Sequence, residues 1–513
     1  MKKKIYTLGA AALMFFVSGC DQDFLDKKPT QQLTPEQIAE AVKTDPDLLA
    51  GNVAGLYSMM YDMWTGGTTR HDDFGQKGYD IFMDMLSSDM ALVGTNYGWY
   101  TTIVRYQATT DFTRNEAYTP WRYYYRMVRS ANNVIDLLGG TDAEPEGELQ
   151  RHIMGQAKAM RAYAYFYLSQ LYAPGYGTGS EKILPIYTDA KMPNQPKSTS
   201  AEVYNLMVDD LTQAIEYLED FNRSSKEQVD KNVAKGLLVY VLSARGTNAD
   251  LAKVVTLTNE ILTEGGYSIT SKNALYGQVD ASGRLLNPES GFNNVASPSW
   301  IWGVDLTLDS DLDLVSWWGQ IDLFTYSYAW AGDPKKIDAS LQASIRPDDL
   351  RRKQFSASGW PYFKFFDPAR VQGGQRNVVT DYVYMRMEEM MLMNAEAQAR
   401  LGNDAAAKAM LLQLMSTRIE EVAGKEATTG VDAYTDYLNT LSNAQLIDEI
   451  FLQTRIELWG EGKSYLAMKR LKKSITRGAN HLFFAGETFS WDDDEMTFPI
   501  PQAEVQNNPV LEK

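Results

Sequence analysis

The chain has 513 residues, 49 basic and 66 acidic side chains and a formal net charge of −17. That length exceeds the common single domain several-fold and leaves room for a large core, while no run of Lys and Arg is dense enough to displace counterions from a phosphate backbone, so nucleic acid is excluded as a partner. One cysteine excludes an intrachain disulfide, and His71, His152 and His481, scattered with only Cys20 to join them, exclude a zinc finger or ribbon.

Residues 1–19 read as an export signal, because Lys2, Lys3 and Lys4 precede an apolar run from Ile5 to Val17 that is too short to span a bilayer. Val17-Ser18-Gly19-Cys20 has the aliphatic and small residues of a lipobox, so Cys20 is the expected lipidation site and acyl chains are expected to anchor the chain to a membrane. Loss of the three lysines moves the net charge from −17 to −20, which suits a solvated, exported exterior and disfavours broad contact with anionic lipid. Residues 20–35 are expected to be a polar tether, ending where Thr34 and Pro35 offer an N-cap and a first helical position.

Helical periodicity predicts helices near 36–63, 79–92, 118–138, 146–172, 200–219, 231–246, 249–264, 382–401, 404–422 and 443–472. Within 382–422, Met385, Leu392, Ala395 and Ala399, then Ala406, Ala409 and Met410, place small and apolar residues on facing stripes of two helices separated at Gly402. Such hairpins, with similar pairs at 118–172 and 200–264, resemble tetratricopeptide repeats. The predicted fold class is therefore mainly α: a tetratricopeptide-like α/α superhelix carrying a loop-rich part with short strands. Its expected divisions are a helical region with binding loops at 36–265, a loop-rich aromatic region at 266–381 and a second helical region at 382–513.

The loop-rich stretch holds Trp300, Trp302, Trp317, Trp318, Trp330 and Trp360, six of the eleven tryptophans. An aromatic ring offers a flat apolar face to the C–H side of a sugar, and Asn, Asp and Arg bind its hydroxyls. The candidate ligand-binding set is Asn96, Tyr97, Trp99, Tyr100, Trp317, Trp318, Tyr326 and Trp330, with Tyr328 nearby and Arg70, Asp72 and Asp73 alongside. Trp300 and Trp302, which alternate with Ile301 like a strand, are expected in the core.

No nucleophile elbow, phosphate loop or H-E-x-x-H helix is present. Gly175-Tyr176-Gly177-Thr178-Gly179 follows a helix instead of a strand and reads as a flexible loop. Asp309, Asp311 and Asp313 imitate a calcium loop, but Leu314 and Gln320 stand where Gly and Glu are needed. No catalytic residue, cofactor or EF-hand metal is expected, and a differently built calcium site stays open. Asp72-Asp73 and Asp492-Asp493-Asp494-Glu495 keep an exported glycoside hydrolase open by composition alone.

Several stretches together carry a family resemblance. They are Cys20-Asp21 with Phe24-Leu25-Asp26-Lys27-Lys28-Pro29, the helix Ala157 to Leu168 leading to Gly177 and Leu184-Pro185-Ile186, and Arg386, Glu389, Leu392, Ala395, Glu396 and Ala397. Arg455, Glu457, Leu458, Glu461 and Gly462 follow, and Phe498-Pro499-Ile500-Pro501, Glu504 and Asn507-Asn508-Pro509 close the chain. On these residues the chain resembles the SusD/RagB family of outer-membrane nutrient-binding lipoproteins. It departs from the family at Ser464 and Ala467, where an Arg and an Asp are common; losing both leaves no lone buried charge. The resemblance implies four tetratricopeptide-like units and capture of oligosaccharide or polysaccharide, or of peptide in some members, without catalysis. It implies hand-over to a SusC-like TonB-dependent transporter from a lipid-anchored position on the outer membrane, facing outward. Helices 36–63 and 118–172 are the expected transporter-facing scaffold.

Overall fold

The structure, a computed structural model, describes Gln37 and residues 48–512. The expected signal, Cys20, the tether, the Thr34 cap and most of the first predicted helix lie outside those residues. Helix α1 spans Leu48–Ser58 and α2 Gln76–Leu86, followed by strand β1 at Met90–Leu92. Helices α3 (Asn115–Leu137) and α4 (Glu148–Leu171) form a hairpin; β2 (Lys182–Pro185) and β3 (Lys197–Thr199) pair antiparallel and lead into α5 (Ser200–Tyr217), α6 (Lys231–Arg245) and α7 (Asn248–Glu264). The loop-rich stretch contributes β4 (Trp300–Val304), β5 (Lys335–Ile337) and β6 (Tyr382–Arg386). Helices resume as α8 (Met387–Arg400), α9 (Asp404–Met415), α10 (Gly430–Thr440), α11 (Asn443–Glu457) and α12 (Lys463–Leu471).

The sequence marks several helix starts chemically. Thr199 with Glu202, Thr247 with Asp250 and Ser442 with Gln445 are capping boxes that satisfy orphan N–H groups of α5, α7 and α11. Gly246, at φ 69°, ends α6 in the left-handed region and lets α7 turn back upon it. From α3 to α9 each helix packs on the next, and α7 packs on α8 although the whole loop-rich stretch lies between them in sequence. The repeat stack is thus continuous in space, and the aromatic stretch is an insertion into it. From Gly51 on, the described chain is one compact unit.

Several details differ from the sequence expectation, the first being residues 90–92, predicted at the end of a helix and found as strand β1. Residues 382–386 form a strand, where alternating Tyr382 and Tyr384 favour pairing with Trp300–Val304; Trp300 and Trp302 lie in the core of that pair as expected. The single helix predicted over 443–472 breaks after Glu457, where Gly460 and Gly462 adopt φ of 85° and 72°. Helix α10 was not foreseen, its sequence being largely polar. On α9, Ala407, Leu411 and Leu414 face the core while Ala406 and Ala409 are exposed; an alanine run is apolar all round, so periodicity leaves its phase open.

Where α11 ends, a buried ionic network forms. Glu457 accepts from Arg351 Nη1 at 3.0 Å, Arg386 Nη1 at 2.8 Å and Arg418 Nε and Nη2 at 3.0 and 2.8 Å. Arg386 also pairs with Glu461 and Glu388, Arg351 with Asp349, and Lys364 with Glu461. All eight side chains are buried, four cations against four carboxylates. Burial alone would raise the Glu457 carboxyl, but Arg418, Arg386 and Arg351 outweigh it and hold it well below the usual carboxylate range.

Removing one member strands buried charge, so Glu457→Gln is expected to cost about 3–5 kcal/mol in urea-unfolding free energy. Because the folded pKa of Glu457 lies below its unfolded value of 4.5, its stabilisation is complete above that pH and is lost as pH falls below it. The variant should therefore show a shallower loss of stability than the parent in unfolding curves recorded between roughly pH 5 and pH 3.

Candidate functional site

Strand β1 pairs antiparallel with β5, Met90 opposite Ile337, and this ladder brings residues 93–100 against 331–335. The Tyr97 N–H donates to both oxygens of buried Asp333, at 2.9 and 3.2 Å, and Asn96 Nδ2 donates to the Ala331 carbonyl at 3.3 Å. Next to this seam the turn 322–327 is held by buried Asp322, whose carboxylate accepts from Phe324 N, Thr325 Oγ1 and Asp367 N. Burial pushes the Asp322 carboxyl up to about 7 against those donors.

Aromatic side chains project from these two loops and from the 64–73 loop. Trp99 stacks on His71 with centroids 5.3 Å apart and planes 3° apart, and the Arg70 guanidinium lies 5.2 Å from its ring centre. Tyr328 meets Tyr97, Trp99 and His71 edge-on, its hydroxyl 2.6 Å from His71 Nδ1. One turn further, Tyr326 and Trp330 are 5.6 Å apart, with the Arg376 guanidinium 4.2 Å from the Tyr326 ring centre. Gly373, at φ 61°, lies so close to Trp330 that a Cβ there would sit 2.9 Å from the indole. Tyr97 is 60% exposed and Trp330 46%, so these two rings offer the most free face.

The surface is an open platform with its polar groups already oriented. Arg70 forms a forked pair with buried Asp72 at 3.0 and 2.9 Å and donates to Glu116 at 2.5 Å, which fixes its plane beside Trp99. Burial holds His71 below the usual imidazole range, Asp313 opposing, so its ring is neutral near pH 7.

Of the predicted residues, the fold brings together Arg70, Asn96, Tyr97, Trp99, Tyr326 and Trp330. Four others lie beneath the surface. Trp317 and Trp318 are each 1% exposed; they pack edge-on to one another and on Phe365, and the Trp317 backbone N–H donates to the Tyr382 hydroxyl. Tyr100 is fully buried in a left-handed conformation, φ 65°, with Lys335 5.2 Å from its ring centre. Asp73 is buried and accepts from Gly66 N, Thr68 N and Thr68 Oγ1, shaping its own loop. Sequence reasoning passed over His71 and Arg376; the only signal for either was its neighbourhood, beside Arg70 and in the polar Gln375-Arg376-Asn377 turn.

Among the described residues one group, Glu148, His152 and Asp220, gathers carboxylate and imidazole ligand atoms within 4.8 Å of one another. Arg151 and His152 both bind Asp220, at 3.1 and 2.9 Å, so its carboxylate is already taken by a guanidinium and an imidazole.

Residues 23–241 match the family model SusD-like_3, described as "Starch-binding associating with outer membrane", and residues 340–513 match SusD_RagB, described as "SusD family". A SusD-like protein of Bacteroides ovatus is 24% identical over 253 residues, 48% of this chain and 40% of that protein. The SusD-like protein P25 of Formosa agariphila is 22% identical over 303 residues, 58% of this chain and 51% of that protein. The chain thus spans about half the length, or less, of these curated relatives. The crystal structure of a SusD-like carbohydrate binding protein from Bacteroides vulgatus superposes with a TM-score of 0.71 at 22% identity, covering 90% of this chain and 96% of that one.

Burial separates the two kinds of tryptophan experimentally. Trp317→Ala is expected to cost about 3–5 kcal/mol of unfolding free energy, as for a large core ring, whereas Trp330→Ala should stay within about 1 kcal/mol of the parent. Chemical denaturation of the two variants checks the assignment.

Proposed function

The chain belongs to the SusD/RagB family, and on that premise we propose that it captures oligosaccharide or polysaccharide on its aromatic platform without acting on it chemically. The observation that carries this reading is the platform itself: Tyr97, Trp99, Tyr326 and Trp330 in one surface above buried Tyr328, with Tyr97 and Trp330 exposed. Such rings gain free energy against sugar C–H faces through buried area, and an open surface suits a chain that runs past on both sides. Asp72, Asp73 and Asp333, carboxylates beside the platform, are committed to Arg70, to the 66–68 turn and to the Tyr97 N–H, which supports binding over glycoside hydrolysis.

The reading extends to place and partner. The proposed attachment is lipid on Cys20 at the outer membrane, the setting that the matched family description names; no helix among the described residues is long and apolar enough to cross a membrane. Ligand then passes to a SusC-like TonB-dependent transporter, with α3 and α4 as the docking scaffold. Residues 1–19, 36–265, 266–381 and 382–513 would serve as signal, helical scaffold, binding insertion and second scaffold.

Titration of the soluble chain lacking residues 1–20 with a broad glycan panel should give saturable binding with no new reducing ends. Tyr97→Ala and Trp330→Ala should each lose about 1–3 kcal/mol of binding free energy with folding intact. Competition by a peptide pool but by no glycan would overturn the saccharide assignment, and release of new reducing ends would overturn the non-catalytic one.

A further inference from the structure

Away from the platform, a cavity of about 320 Å3 opens between α3, the 187–192 loop and the short C-terminal helix Gln502–Asn507. That volume is within the range of small-ligand sites. One wall is aromatic: Trp121 and Tyr125 have centroids 4.7 Å apart, and Tyr187 meets Tyr125 edge-on at 5.9 Å. At the mouth stand two cations, Arg129 and Lys191, and two carboxylates, Asp189 and Glu504.

Equal in number, the charges differ in free capacity. Asp189 Oδ1 accepts from the Lys191 backbone N–H at 2.6 Å, and Glu504 Oε1 accepts from Asn508 Nδ2 at 2.8 Å. The Arg129 guanidinium and the Lys191 ammonium make no hydrogen bond or ion pair among the described residues, and both are exposed. Asn132, deeper in, is already used at both ends, by Arg161 and the Tyr187 carbonyl. Both carboxylates keep their charge and a second oxygen, so the lining is balanced overall, and the side-chain cations still without a partner are Arg129 and Lys191. Arg122 and Arg126 stand seven and three residues before Arg129, exposed on the same face of α3, so further cations stand on that face, with Asp73 and Asp62 as their acidic neighbours.

We propose that this cavity is a second binding site, for a sugar bearing an anionic oxygen group. The ring lies against Tyr125 and Tyr187, and the carboxylate or sulfate ester is held by Arg129 and Lys191, the guanidinium supplying the planar fork that such groups match. The site shares no residue with the platform and stands whether or not the platform binds glycan.

Trp121 supplies a local reporter. The protein is labelled with 5-fluorotryptophan, the Trp121 resonance is assigned by Trp121→Phe, and fluorine NMR follows titration with glucuronic acid, glucose 6-sulfate and glucose. A saturable shift of the Trp121 signal with either anionic sugar and none with glucose is the expected result; the two anionic arms tell carboxylate from sulfate. Arg129→Gln combined with Lys191→Gln should weaken that binding at least about ten-fold with an unchanged thermal unfolding midpoint. No Trp121 shift with either anionic sugar, an equal shift with glucose, or a shift that survives the double variant overturns the proposal.

Discussion

The structure turns on the carboxylate of Glu457. Three guanidiniums from three separate segments converge on it, Arg351 from the inserted stretch, Arg386 from the end of β6 and Arg418 from beyond α9. A buried charge of either sign would be prohibitive alone, and the four-to-four balance removes that cost only when all segments arrive together. The network therefore ties the insertion to the helical stack, since Arg351 and Lys364 of the one meet Glu457 and Glu461 of the other. From Arg386 the constraint runs outward. Strand β6 pairs with β4, its Tyr382 hydroxyl accepts from Trp317 N, and in the next turn Gln320 donates to the His71 carbonyl beneath the platform while accepting from Lys335. The rings at the surface are thus positioned by charges buried well below them.

This explains which parts of the molecule the sequence disclosed. Arg386, Glu457 and Glu461, residues that carry the family resemblance, are members of the buried network, so the resemblance reports the scaffold and is silent about ligand. Helices were legible because their period of 3.6 and their capping pairs are local properties, as at Thr199–Glu202 and Ser442–Gln445. The break at Gly460 and Gly462 was written in glycine but hidden inside a strong apolar pattern.

Burial inside irregular loops has no period, and there the reading failed. Trp317-Trp318 and Trp330 look alike in sequence, each an indole in a polar, glycine-containing context. The first pair is drawn under the surface because Phe365 and Tyr382, remote in sequence, close over it; Trp330 stays out because Gly373 packs against one side of its indole and leaves the rest to solvent. Likewise Asp73, chosen as a hydroxyl ligand, has three donors within seven residues and is consumed by its own loop.

The same commitment of polar groups shapes how the platform can bind. Arg70 is paired with Asp72 and Glu116, Asn96 donates to Ala331 and Asp333 accepts from Tyr97, so few polar groups are left to exchange with sugar hydroxyls. Those hydroxyls are well hydrated in water, and a net hydrogen bond gains little even when it forms. Affinity on the platform must then come from ring area, which is modest for two largely exposed aromatics and tolerant of which sugar presents its apolar face. Under the proposed reading such contact would be weak and quickly exchanged, whereas the cavity beside α3, with Arg129 and Lys191 at its mouth, would discriminate by charge. The two proposed sites would thus divide breadth of capture and selectivity for charge between different places on one scaffold.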